Sequence, residues 1–456
     1  MIYETTIFPG AGIGNNIKLG FTLYEVIIEL NKHDYKYQVI YSEKNYYESP
    51  ILVQIIDLDL RLTFQNKKDQ TLNLIEVLHL GGSNTEKPLR LLYKGQSLNE
   101  FESVVRSSND SGSFEHSNSS SSLTTSNSNS SSAENGTRLV SSGPSFQLIY
   151  NKILGPTYPG VLNKNTKSYI LSYPGIAFKY KINNEELYTK LVEQSNESVL
   201  DTLINWDHAS DIVCDSIAIF KGKTWSEYKA NSQMVQGSTF KVDLDNGVIV
   251  VNGKRSIKIG KSTQQDVIDI IGPPDDRFSK YDSRLLIHNY LSGDSVEEAK
   301  KKDFRNCKFH NYYKLGLDIL YDLKTPALAS ENTLNSVVNK VILHNGGIVE
   351  DLSFMKWNRC NWTIESSQFD PIDSTMYFAD LPPGFKDLTP VFLNRYESEF
   401  IDNDLDIIDL PSIDVKKGSV KSAKLKRWGQ SKLYGLQKCI VEVLNSNGCI
   451  SSVTIY

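Results

Sequence analysis

Apolar positions recur along the chain in one composite pattern: a short stretch at helical spacing, a Gly or Pro stop, then runs at period two. The clearest instance lies between Gly260 and Gly347. Thr263 precedes Gln264-Gln265-Asp266 and is placed to cap a helix, with Asp266 in the favourable first turn. Val267, Ile270 and Ile271 supply the i, i+3, i+4 face of that helix, which Gly272 and Pro273-Pro274 stop. Leu285 to Tyr290, Tyr312 to Leu323 and Val337 to His344 then read as strands, the middle one carrying Leu315, Leu317, Ile319 and Tyr321 at period two. One helix and a three-stranded meander cannot bury their own apolar faces, so the unit must pack on something.

Further copies of the pattern are the expected partners. Gly20 to Leu30 lies over Lys261 to Ile271 without a gap, with Thr22 over Thr263 and Glu25 over Asp266; Thr22 and Glu25 have capping-box spacing. Strands are predicted at Gln38 to Glu43, Ile51 to Ile56, Leu60 to Phe64 and Leu72 to Val77. Ile153-Leu154-Gly155-Pro156 repeats Ile270-Ile271-Gly272-Pro273 and leads into a strand pair over Tyr169 to Ile182. A half copy closes the chain, two strands around the turn Asn445 to Gly448. The pattern predicts an α+β protein of repeated small helix-plus-antiparallel-meander units packed into a common β-rich core.

The expected organisation is a first α+β unit over 1–100, a disordered insertion over 101–143, and a second unit with a β-rich extension over 144–258. A third unit covers 259–365, an irregular acidic and basic segment 366–432, and a C-terminal hairpin over 433–456 completes the last unit. The insertion is assigned because Ser107 to Ser142 is mostly Ser and Asn, which bury too little to offset ordering entropy. Within the extension, Glu185 to Leu203 reads as helix, and Ser216 to Phe220, Thr239 to Leu244 and Gly247 to Val251 read as strands continuing the second unit's sheet.

Composition places these units in a globular protein. The chain has 456 residues, 39% hydrophobic and 23% charged, and a net charge of −5 that argues against a nucleic-acid binder. No run of about eighteen apolar residues suggests a membrane span. The first residues show no secretory signal, and five scattered cysteines fit a reducing compartment, so a cytoplasmic address is expected.

Candidate chemistry is sparse. The glycines of Pro9 to Asn16 do not lead into a helix as a dinucleotide loop must, so this stretch reads as a flexible entry to the first unit. Cys307 and His310, with His288 and the remote Cys360, lack the paired spacing of a zinc site and read as packing residues. Asp318 and Asp322 share a strand face about 13 Å apart, too far to act on one bond. An enzyme would need Asp318, His288 and His310 to converge. No nucleophile elbow, Walker loop or H-E-x-x-H is present; neither catalysis nor a cofactor is expected. The acidic run Glu397 to Asp409 is followed by Lys416, Lys417, Lys421, Lys424, Lys426, Arg427, Trp428 and Lys432, a basic, Trp-bearing segment. Adjacent blocks of opposite sign usually neutralise one another; the alternative is a surface for anionic lipid or an acidic partner.

These segments, taken in order, resemble the phagosome assembly factor 1 family. The resemblance rests on Gln38 to Glu43 with Leu60 to Phe64 and Leu72 to Val77, on Ile153 to Val161 with Tyr173 to Ile182, and on Ser262 to Pro274. It continues through Leu285 to Tyr290, Tyr312 to Leu323, Val337 to His344 and Gly435 to Tyr456. The Ser/Asn insertion and Asp370 to Lys432 depart from it. The resemblance implies a cytoplasmic adaptor at the phagophore assembly site, acting with a WD-repeat β-propeller partner that recognises phosphoinositides and recruits it peripherally to membranes. It also implies links to Golgi trafficking, for which direct lipid binding through the basic segment is the alternative mechanism. It carries over no catalytic or metal residues.

Overall fold

The computed structural model describes residues 3–65, 70–80, 89–105, 137–231, 238–278, 307–322, 336–346, 354–394 and 430–456. The architecture is α+β and β-rich, with antiparallel sheets dominating and helices few and short.

Two eight-stranded antiparallel sheets form the frame. The first runs Val161–Asn163, Ser168–Tyr173, Ile176–Ile182, Ile212–Phe220, Leu72–Val77, Leu60–Phe64, Ile51–Ile55 and Tyr37–Ile40. The second runs Asp276–Phe278, Cys307–Tyr312, Leu317–Asp322, Val337–His344, Ile450–Ile455, Cys439–Leu444, Gln430–Leu436 and Val391–Asn394. Both follow the same course: two four-strand meanders meet antiparallel at their last strands, Ile217 to Phe220 against Leu74 to Val77 and Val341 to His344 against Ser452 to Ile455. Each sheet is accompanied by a five-stranded one. In each of these smaller sheets the parallel pairing seen among the described residues, Tyr3 to Thr6 with Leu89 to Leu92 or Thr239 to Asp243 with Asn361 to Glu365, joins segments that bracket a meander in sequence.

The two capped helices form where the sequence places them. Leu23–Lys32 and Gln264–Ile271 begin with complete capping boxes, Thr22 with Glu25 and Thr263 with Asp266. Donation from the Thr263 N–H and hydroxyl holds the Asp266 carboxyl below the usual carboxylate range. Thr22 also bridges to Thr71 and Thr263 to Val337, so each cap is tied to the last strand of its meander or its approach. Leu23, Val26, Ile27 and Leu30 are buried on one face of the first helix, each contributing roughly 1.5–3 kcal/mol. The two largest clusters of the core divide accordingly: one gathers residues from Ile7 to Ile219 together with Met355, Leu444 and Cys449, the other residues from Phe240 to Ile455.

Several expectations are corrected. Tyr312 to Leu323 is not one strand: Cys307–Tyr312 and Leu317–Asp322 are an antiparallel pair, and Leu315 lies in the turn between them. The turn requires Gly316, whose φ is +69° and whose Cβ would sit 2.2 Å from the Asn358 carbonyl. The meander therefore has four strands rather than three; the strand expected at Leu285 to Tyr290 lies outside the described residues. Thr239–Asp243 and Val248–Val251 do not extend the second unit's sheet, because Thr239–Asp243 pairs in parallel with Asn361–Ser366. Leu148–Ile153 is a π-helix rather than an α-helix, and Glu185 to Leu203 breaks into two helices where Ser195 caps the second.

The ends of the expected disordered insertion, Glu100–Val105 and Thr137–Ser142, form an antiparallel ladder, as β-branched and apolar residues favour. Within the segment expected to be irregular, Phe369–Asp373 and Val391–Asn394 are strands, and the one-turn helix Pro383–Lys386 follows Leu381-Pro382 with Phe385 buried. Proline is suited to a first helical position, where no intrahelical donor is needed. The Gly-rich entry is likewise an ordered element: Gly10 donates to Gly175 O at 2.9 Å, and a Cβ on Gly175 would lie 2.2 Å from the Gly10 nitrogen.

A buried polar junction joins the two halves. Arg359 lies with its guanidinium 4.1 Å from the centroid of Tyr47, donates to Asn345 Oδ1 at 3.0 Å and bonds the Ser374 carbonyl. Asn345 Nδ2 donates to Tyr47 Oη at 3.1 Å, and Tyr47 donates to Ile450 O at 3.0 Å. Asn358 accepts from the Gln70 amide at 2.9 Å, while Met355 joins the N-terminal core. Desolvation lowers the Arg359 pKa and raises that of Tyr47.

Candidate docking surfaces

The predicted basic segment is only partly placed. Lys416, Lys417, Lys421, Lys424, Lys426, Arg427 and Trp428 lie outside the described residues. Lys432 sits on Gln430–Leu436 directly across from Phe392, on the outermost strand of the second large sheet. Its Nζ lies 5.4 Å from the ring centroid of Phe392, which is 69% exposed. An ammonium over a solvent-facing aromatic is a cation–π pair with both partners accessible.

The first large sheet ends in a comparable way. One of its two edge strands, Val161–Asn163, likewise opens the second meander of its sheet and carries a 48% exposed Val161. Just before it, Tyr158 is 86% exposed. The sequence marked this stretch only as a helix stop and missed the surface, because an isolated Tyr between prolines has no distinctive periodicity.

The residues an enzyme would have to bring together are separated. His310 pairs with Ile319 and lies against Tyr321, ring centroids 4.7 Å apart, on the core side of its sheet. Burial lowers its pKa to about 4, helped by Arg277 and Lys308. Asp318 pairs with Asn311 and points to the other face. There its Oδ2 lies 2.8 Å from His344 Nε2 and its Oδ1 accepts from Trp357 Nε1 at 2.7 Å, with Trp357 stacked on His344. That cluster was not legible in sequence because Trp357 arrives from a segment 39 residues away. The cluster fastens Trp357, which follows the Phe354–Lys356 turn, to the sheet. His288 lies outside the described residues. Among the described residues no group of three His, Cys, Asp or Glu side chains is arranged to hold a metal. Cys214, Cys360, Cys439 and Cys449 are buried free thiols, all with pKa values raised by desolvation.

A cavity of about 330 Å³ lies under the Gly-rich entry, between Asn15, Asn16, His33 and the apolar floor of Leu30, Leu58 and Leu60. Asn16 and His33 meet across it at 2.6 Å. Its lining includes Glu4 and Glu29 but neither Lys nor Arg, the wrong chemistry for phosphate.

A family model for phagosome assembly factor 1 matches residues 14–109 and 137–456, nearly the whole chain. The chain belongs to the phagosome assembly factor 1 family. Three relatives carry the same family label. One from Caenorhabditis elegans is 24% identical over 67% of this chain and 69% of its own length. One from Arabidopsis thaliana is 23% identical over 69% and 70%, and one from Drosophila melanogaster 21% over 69% and 71%. No solved structure matches. The family is named for assembly rather than for a reaction, and no helix among the described residues is long and apolar enough to cross a membrane.

Proposed function

We propose that this protein is a non-enzymatic adaptor in autophagy. It acts at the phagophore assembly site with a WD-repeat β-propeller partner that recognises phosphoinositides, and it reaches the membrane peripherally through that partner. The observation that carries this reading is the family match over residues 14–109 and 137–456, which favours a role in phagosome assembly. Supporting it, two sheet edges present exposed apolar side chains, and Asp318 and His310 face away from each other. We read the two large sheets, with their shared strand order and two capping boxes, as repeats of one unit. Repetition would give an adaptor two related surfaces, and a second contact on one body gains from effective concentration.

Affinity capture from cytosol at mild salt, read by mass spectrometry, tests the proposal. Recovery of a WD-repeat propeller protein that persists after deletion of 107–136 is the expected result; its absence would remove the adaptor reading. The second reading, direct binding of anionic lipid in Golgi or endosomal trafficking, is favoured by Lys432 over the exposed Phe392. It predicts liposome binding that weakens steeply with salt and with charge reversal between Lys416 and Lys432.

A further inference from the structure

The chain from Gly155 to Asn163 holds one aromatic side chain in solvent and fixes the backbone beneath it. The Tyr173 hydroxyl donates to Gly155 O at 2.7 Å, Thr157 Oγ1 donates to Ser172 O at 3.1 Å, and the Gly160 amide donates to Tyr169 Oη at 2.6 Å. Pro156 and Pro159 flank Tyr158 and restrict φ on either side of it. The edge strand Val161–Asn163 follows at once and, among the described residues, pairs only with Ser168–Tyr173. Every second peptide group of such a strand points away from its neighbour.

Register defines what surrounds this edge. Val161 shares a face with Ile170 and Lys179, and Asn163 with Ser168 and Lys181. Lys164 and Lys181 are exposed; Lys179 is bonded to Asp215 at 3.2 Å and Lys167 to Glu185 at 2.5 Å. Two exposed apolar side chains, Tyr158 and Val161, thus lie three residues apart at this edge, with Lys164 just beyond the strand and Lys181 in register with Asn163 through Ser168. Brevity, a nearby Pro and a Lys are common protections of an open edge, but they do not account for a large aromatic held out on a pinned loop. A rigid exposed Tyr loses little entropy on binding, which is the property of an interface anchor.

We propose that this edge is a strand-addition site for an extended segment of a partner protein in which apolar and acidic residues alternate. Its main chain continues the sheet, its apolar side chains pack on Tyr158 and Val161, and its carboxylates meet Lys164 and Lys181. The proposal rests on the adaptor reading and names one contact through which it works.

The test uses the full chain and a fluorescein-labelled ten-residue peptide of alternating Val and Glu, measured by fluorescence anisotropy. Expected are saturable binding, protection of amides in Val161–Asn163 from hydrogen exchange, and weakening by higher salt. Tyr158→Ala should weaken binding at least tenfold, as should Lys164→Glu combined with Lys181→Glu. An alternating Val–Lys peptide, and the Val–Glu peptide N-methylated along one backbone edge, should not bind. Equal binding of the N-methylated peptide, or binding without protection at 161–163, overturns the proposal. So does a concentration-dependent dimer, lost in Tyr158→Ala, that forms without peptide binding; the occupant is then a second copy. A thermal melt of each variant establishes that it folds. If the variant that combines Tyr158→Ala, Lys164→Glu and Lys181→Glu still captures the propeller protein, this edge is excluded while the adaptor reading stands. If wild-type protein fails to capture it, the adaptor reading itself falls.

Discussion

His310 and Arg359 are polar residues that folding removes from water, and each makes stability depend on its own chemistry. The native pKa of His310, about 4, lies below the ordinary value of 6.5. The unfolded chain therefore binds a proton more readily, so the contribution is complete above pH 6.5 and is lost as pH falls toward 4. His310→Phe should flatten that part of the stability profile by on the order of 2 kcal/mol, measured by urea denaturation between pH 7 and 4.5. Arg359→Ala would strand the acceptor Asn345 Oδ1, leave Ser374 O with only its bond from Asn345 Nδ2, and remove the cation from the Tyr47 ring. A loss of about 3 kcal/mol is expected from the same measurement at pH 7. Arg359→Lys should recover little of it, since a point charge cannot reproduce a planar fork.

At the scale of elements, the capped helices show what was legible in the sequence. Thr263, Asp266, Val267 and the Gly272 stop each act locally, so their spacing alone specified the helix Gln264–Ile271. Thr263→Ala should cost about 1 kcal/mol in urea denaturation, because the Asp266 amide loses the hydroxyl that caps it while the Asp266 carboxylate keeps only the backbone N–H of residue 263. The strands of Leu60–Phe64, Leu72–Val77 and Ile176–Ile182 were legible for the same reason, their alternation being a local signal. Pairing was not. Nothing near Thr239 announces that its strand lies parallel to Asn361–Ser366, more than a hundred residues on. The turn at Gly316 was hidden because Leu315 continues the period of the strand after it, and the constraint on Gly316 comes from Asn358. The docking surfaces were illegible in turn: exposure of Tyr158 and Phe392 depends on which strands are outermost, a property of the assembled sheet.

For the whole molecule, the junction around Arg359, Tyr47 and Asn345 decides whether the halves behave as one body. It is buried, and its bond from Asn345 to Tyr47 joins residues 298 apart in the chain. The wild-type chain should unfold in one calorimetric transition, whereas Arg359→Ala should resolve two, one per core. A single body with an open edge on each large sheet fits a protein that connects partners rather than transforms a substrate. The central claim is that membrane contact comes through the propeller partner, and flotation of purified protein on liposomes containing phosphoinositide tests it most directly. With the WD-repeat protein present the chain should float, and without it the chain should remain at the bottom of the gradient at physiological salt. Flotation of the chain alone, abolished by high salt or by charge reversal between Lys416 and Lys432, would contradict the account.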